Sequence, residues 1–152
     1  MDEVDLRWLR RCVELAAEAV EAGDFAFGSV LVDGTGRFRA EDRNREISLA
    51  DPTRHPEFEL ARWAATNLSA DKRRDATVYT SGEHCPMCAA AHAWVGLGRI
   101  VYVMSSAQLT ALQPDADRPV RPLTIQDVAP HVTVEGPAPA DLVEAVATLA
   151  RP

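Results

Sequence analysis

Apolar residues recur at three- and four-residue steps between residues 5 and 22: Leu9, Cys12, Val13, Ala16 and Val20. This is the stripe of an amphipathic helix, and Gly23 can cap its end. The pattern then changes. Ser29 to Val32 and Phe38 to Ala40 flank Asp33-Gly34-Thr35-Gly36, so two short strands meet at a hairpin turn. A loop runs to about Arg54. Pro56 opens a second helix of about a dozen residues, carrying Leu60, Trp63, Ala64 and Leu68. Ala76 to Thr80 reads as a buried strand, Pro86 to about Gly96 as an alanine-rich helix, and Ile100 to Met104 as the next strand. Residues 113 to 122 hold three prolines and read as an irregular loop. Val132 to Val134 fits a short strand, and Asp141 to Leu149 a final helix with Asp141 as its N-cap. Strands alternating with helices after an initial hairpin predict an α/β fold: a three-layer α/β/α sandwich around a mixed sheet of about five strands.

Length and charge narrow the picture. A chain of 152 residues suits one domain, 1–152, with a single core. Its net charge of −7 repels polyanions and weighs against a nucleic-acid partner. The basic clusters, Arg7, Arg10 and Arg11 and then Lys72, Arg73 and Arg74, lie among or beside acidic residues and read as solvated faces. No apolar run reaches the roughly 18 residues of a membrane span. The acidic start Met1-Asp2-Glu3-Val4-Asp5 is unlike a basic leader. Three cysteines, two of them in one C-x-x-C, fit reduced thiols better than a disulfide framework and point to the cytoplasm.

The candidate chemistry lies in His55-Pro56-Glu57 and Cys85-Pro86-Met87-Cys88. Each has proline just inside a predicted helix, where its missing N–H costs nothing. His55 and Cys85 therefore fall at N-caps, and Cys88 lies one turn after Cys85 on the same face. Pro56 favours non-helical dihedrals at His55, which lets His55 and Glu57 converge. The helix N-terminus favours thiolate over thiol. Two thiolates and one imidazole give zinc three protein ligands and leave its fourth position for water. The pKa of that water falls from about 16 toward about 7. Glu57, unligated beside it, can carry the proton. Taken alone, C-P-M-C equally fits a redox pair or half of a structural zinc site. The H-x-E segment, with 29 residues between His55 and Cys85, favours the catalytic reading.

These segments resemble the cytidine-deaminase-like superfamily of zinc deaminases, whose signature is H-x-E followed by P-C-x-x-C. Within it the chain is similar to the small bacterial guanine and cytosine deaminases and to the tRNA adenosine deaminases. Phe27-Gly28-Ser29-Val30-Leu31-Val32 resembles P-F-G-A-V-[IL]-V, and Thr80 to Ala89 resembles T-S-x-E-P-C-P-M-C-x. The likeness covers roughly residues 5 to 105. It departs at His84, where the family has proline before the first cysteine, and at Ala26, where proline precedes Phe-Gly.

The resemblance implies one zinc per chain on His55, Cys85 and Cys88, with Glu57 as general acid/base. It implies Asn44 on the polar edge of the substrate, Phe27 against the face of the ring, and Glu83 and His84 near the pocket. A carboxylate beyond the second cysteine contacts the base in the guanine-deaminase branch, which makes Asp115 and Asp117 candidates. The implied substrate is a free nucleobase or analogue, such as guanine, cytosine or an s-triazine, and the implied assembly a homodimer. Adenosine in tRNA and a free nucleoside or nucleotide are the alternative substrates, and a zinc-binding scaffold of the same fold is the non-enzymatic alternative. Cys12 and His92 fall on predicted packing faces. Trp94 belongs either to the core or to a dimer interface.

Overall fold

The computed structural model describes residues 1–151. Helix α1 (Glu3–Glu21) starts earlier than the apolar stripe alone indicates. The cause is local: the Asp2 side chain accepts from the backbone N–H of Asp5, while the Asp5 carboxylate accepts from that of Asp2, a reciprocal cap. The buried stripe runs through Leu9, Cys12, Leu15, Ala16 and Ala19, so Val20 faces out.

Strands β1 (Gly28–Val32) and β2 (Phe38–Arg43) form the predicted hairpin. Helix α2 (Pro56–Asn67) and a short α3 (Ala70–Asp75) lead to β3 (Thr77–Gly82). Then come α4 (Pro86–Val95), β4 (Arg99–Met104), α5 (Ser106–Leu112) and α6 (Ile125–Val128). The two-residue β5 (Val134–Glu135) and α7 (Ala140–Ala150) complete the described chain. The final helix is capped at Pro139 rather than Asp141. Asp141 lies inside its first turn, where a carboxylate favours the positive end of the helix dipole without serving as the cap.

The five strands form one mixed sheet in the order β2-β1-β3-β4-β5. β1 runs antiparallel to β2 and β3, whereas β3, β4 and β5 run parallel. Alternation along the strands divides the core. Val30, Val32, Tyr79, Val101 and Val103 pack under α1 and α7. Leu31 and Val78 pack under α2, with α4 beside it. The expected α/β/α sandwich is therefore present, with Cys12 in its core. At Gly28, α1 crosses so close to β1 that an added Cβ would sit 2.4 Å from the Leu15 Cβ, so only glycine fits.

Asp5 ties α1 to the sheet. Its carboxylate accepts from both terminal nitrogens of Arg99, at 2.9 and 3.0 Å, and from the Tyr79 hydroxyl at 2.8 Å. Arg99 foremost holds the buried Asp5 carboxyl down to a pKa of about 2. The unfolded value is about 3.9, so this stabilisation is full above that pH and is lost as pH falls through the folded value. Asp5→Asn is expected to cost about 2 kcal/mol at pH 7. In urea melts, the gap from wild type should narrow between about pH 4 and pH 2.

Candidate active site

The topology brings two helix entrances to one end of the sheet. β2 and β3 both run antiparallel to β1, so the chain leaves each of them at the same end. Beyond β2 it reaches His55, and beyond β3 it reaches Cys85. Both are N-caps in extended backbone, each followed by proline at the first helical position. Neither side chain is spent on capping. Cys88 follows one turn into α4.

The three groups converge. The Nδ1 atom of His55 lies 3.5 Å from the Cys85 sulfur and 3.6 Å from the Cys88 sulfur. All three ligand atoms lie within 4.8 Å of one another. Bond lengths of about 2.3 Å for Zn–S and 2.05 Å for Zn–N at tetrahedral angles require a nitrogen–sulfur separation of about 3.6 Å. The donor set and spacing thus fit zinc. The three groups also share charge among themselves. Cys85 is held as thiolate, its pKa lowered to about 4 by the neighbouring Cys88 thiol and then by His55, against the cost of burial. Burial opposes a charge on His55, yet Cys85 and Glu46 outweigh it and raise its pKa to about 10. Cys85 and burial push the Cys88 thiol up, opposite to the shift of Cys85.

Glu57 stands beside the trio. Thr80 donates its hydroxyl proton to Oε1 at 2.8 Å, and the Cys88 sulfur is 3.8 Å from Oε2. Ser29 in turn donates to the Thr80 oxygen at 2.9 Å. This buried chain of hydroxyls fixes the carboxyl group. Burial also pushes the Glu57 carboxyl above its ordinary pKa, with charged His55 opposing the rise. A carboxyl poised in this way can both take and give a proton.

The remaining predicted residues separate into two groups. Asn44 is buried at the end of β2, and its backbone N–H donates to the Phe27 carbonyl. The Phe27 ring packs against the backbone at Gly82, where an added Cβ would come within 2.8 Å of it. Both therefore flank the ends of β2 and β3. Glu83 and His84 lie between β3 and the start of α4. The Glu83 carboxylate accepts from the backbone N–H of Ser106 at 2.8 Å and of Ile125 at 3.0 Å, which ties the starts of α5 and α6 to the sheet. His84 is 1% exposed and packs edge-on against His92, with no hydrogen-bond partner for either ring nitrogen among the described residues. Asp115 is exposed in the loop after α5. Trp94 is 90% exposed on α4, which removes it from the core. A cleft of about 810 Å³ lies at the other end of the sheet, lined by Arg74, Thr77, Leu97, Arg99 and His131 among others, and shares no residue with the cluster.

Three participants are not singled out as site residues by the sequence, although Ser29 and Thr80 fall within the motif segments. Ser29 and Thr80 are ordinary strand residues whose role appears only when β1 and β3 pair. Glu46 lies in an irregular loop and reaches both Asn44 and His55.

This fold, with a His-Cys-Cys cluster at two helix entrances and a buried glutamate beside it, defines the class of zinc-dependent deaminases. The chain belongs to the family described as the cytidine and deoxycytidylate deaminase zinc-binding region, whose model matches residues 2–104. It is 40% identical over 96 residues to the guanine deaminase of Bacillus subtilis, a match covering 62% of this chain and 61% of that one. It is 33% identical over 110 residues to the tRNA-specific adenosine deaminase of Haemophilus influenzae, covering 72% and 64%. The solved structure of the Bacillus subtilis guanine deaminase superposes with a TM-score of 0.62 at 30% identity, covering 82% of this chain and 83% of that one. The family's cofactor is zinc, and His55, Cys85 and Cys88 form a site that could hold it.

Proposed function

We propose that this protein is a hydrolytic deaminase of a free nucleobase or base analogue of the guanine, cytosine or s-triazine type. The observation that carries the reading is Glu57, buried and unligated beside a trio that fits zinc. Zinc, when bound by His55, Cys85 and Cys88, supplies a water activated for attack at neutral pH. Thr80 holds Oε1 of Glu57, so Oε2 is the oxygen left to move protons. There Glu57 takes one proton from the attacking water and gives it to the ring nitrogen, then takes the proton of the new hydroxyl on the ring carbon and gives it to the amine, which leaves as ammonia. Water is consumed, and a ring carbonyl and ammonia result. Asn44 orients the polar edge of the ring and Phe27 borders its face.

Adenosine in tRNA is the second reading, favoured by the Haemophilus influenzae relative. The surface charge favours the small substrate. Arg11 is engaged by Glu14, Glu18 and Glu41. Arg73 donates to the carbonyls of Leu68 and Val95, and Arg74 pairs with Asp71 and Asp75. Half of the basic side chains in the two clusters are thus already engaged within the protein, which weakens either cluster as a track for phosphates. A homodimer belongs to the same reading, with the exposed Trp94 as an anchor of the kind that interfaces bury. So does a cytoplasmic location, since the site requires reduced thiols.

An ammonia-release screen of the zinc-loaded protein over guanine, cytosine, s-triazines, nucleosides and tRNA tests the proposal. Turnover of a free base or triazine is expected. Turnover confined to tRNA or to nucleosides would overturn the substrate class, and none at all would overturn the enzymatic reading.

A further inference from the structure

Glu46 occupies a position that the chemistry above leaves unused. It lies in the loop between β2 and α2, with its side chain 18% exposed. One carboxylate oxygen, Oε2, accepts from the Asn44 side-chain amide at 2.6 Å. The Glu46 backbone N–H donates to Oδ1 of the same amide at 3.0 Å. Its other oxygen, Oε1, stands 3.6 Å from Nε2 of His55, an ion-pair contact rather than a hydrogen bond. One carboxylate therefore touches both the substrate side and the metal side of the site.

Each contact has a chemical consequence. Nδ1 of His55 faces both sulfurs, so a metal there requires Nδ1 to be free of its proton. In the neutral ring that proton then sits on Nε2, opposite the Glu46 carboxylate. A carboxylate behind a ligating histidine fixes its tautomer and raises its basicity. At Asn44, the backbone N–H can meet only the amide oxygen and the carboxylate only the amide nitrogen. The flip of the amide is thereby decided. One N–H and one lone pair remain to present to a ring edge.

We propose that Glu46 is a positioning residue that acts through two partners: it sets His55 for zinc and locks the orientation of Asn44 for substrate. The inference rests on the reading of His55 as a zinc ligand. Two variants separate the two arms. Glu46→Gln keeps an oxygen that can accept from Asn44 but loses the charge behind His55. Glu46→Ala loses both.

The test measures zinc affinity by chelator competition without substrate, the visible spectrum of the cobalt-substituted protein, and steady-state ammonia release. Zinc affinity is expected to fall about 10–100-fold in both variants, with a shifted cobalt spectrum in each. KM should stay near wild type in Glu46→Gln and rise about tenfold or more in Glu46→Ala, in line with the loss of a side-chain hydrogen bond. Zinc affinity within twofold of wild type together with an unchanged cobalt spectrum in both variants would overturn the inference. Equal KM values for the two variants would overturn its Asn44 arm. A wild-type protein that binds no zinc would overturn the underlying reading as well, whereas tight wild-type binding with indifferent Glu46 variants would sink this inference alone.

Discussion

Glu57→Gln is expected to keep its full complement of zinc and to lose ammonia release by a factor of about 10²–10⁴, the usual contribution of a general acid/base. Glutamine has the same shape, and its carbonyl oxygen can still accept from Thr80, which donates to Oε1 in the wild type. The core beneath α2 therefore stays filled. What disappears is the ability to bind a proton at Oε2. Metal analysis and turnover measured on the same preparation check this. Normal turnover with bound zinc would show that another group carries the proton.

Cys85→Ala is expected to remove both zinc and activity. The variant leaves His55 and Cys88, and two ligands do not define a tetrahedral site. Zinc affinity should fall by more than about 100-fold, beyond the range produced by losing an outer partner of a ligand. The fold itself should survive. Cys85 is an N-cap whose side chain makes no capping hydrogen bond, so α4 loses no cap. Thermal melts provide a second measure, because a ligand that binds only the folded state stabilises it. A strong chelator should lower the melting temperature of the wild type and leave that of Cys85→Ala unchanged. Full zinc occupancy in the variant would remove Cys85 from the ligand set.

Much of this architecture is legible in the order of residues because local and global signals agree. The first helix, the hairpin, the two proline-opened helices and the strands between them each carry their own periodicity or punctuation. The proline after His55 and after Cys85 places both at helix entrances, and the shared direction of β2 and β3 then brings them together. What escaped has identifiable causes. α3 is six residues of charge and alanine with no buried face, so no apolar period announces it. α5 and α6 are brief and have only their caps as signals, Ser105 with Gln108 and Thr124 with Asp127. The roles of Glu83 and His84 depend on what packs above them, and the helix starts that Glu83 holds lie 23 and 42 residues further along the chain. Glu46 has no motif at all. Its importance comes from a loop that folds back on both Asn44 and His55.

The neighbours Tyr79 and Thr80 in β3 point to opposite faces of the sheet. Tyr79 reaches Asp5, the anchor of the first helix, and Thr80 reaches Glu57. A slip of one residue along this strand would either put the Tyr79 phenol against the Glu57 carboxyl and Val78 against the anchor, or put Thr80 against the anchor and Ser81 against Glu57. Structural integrity and catalytic competence are thus guarded by one and the same pairing.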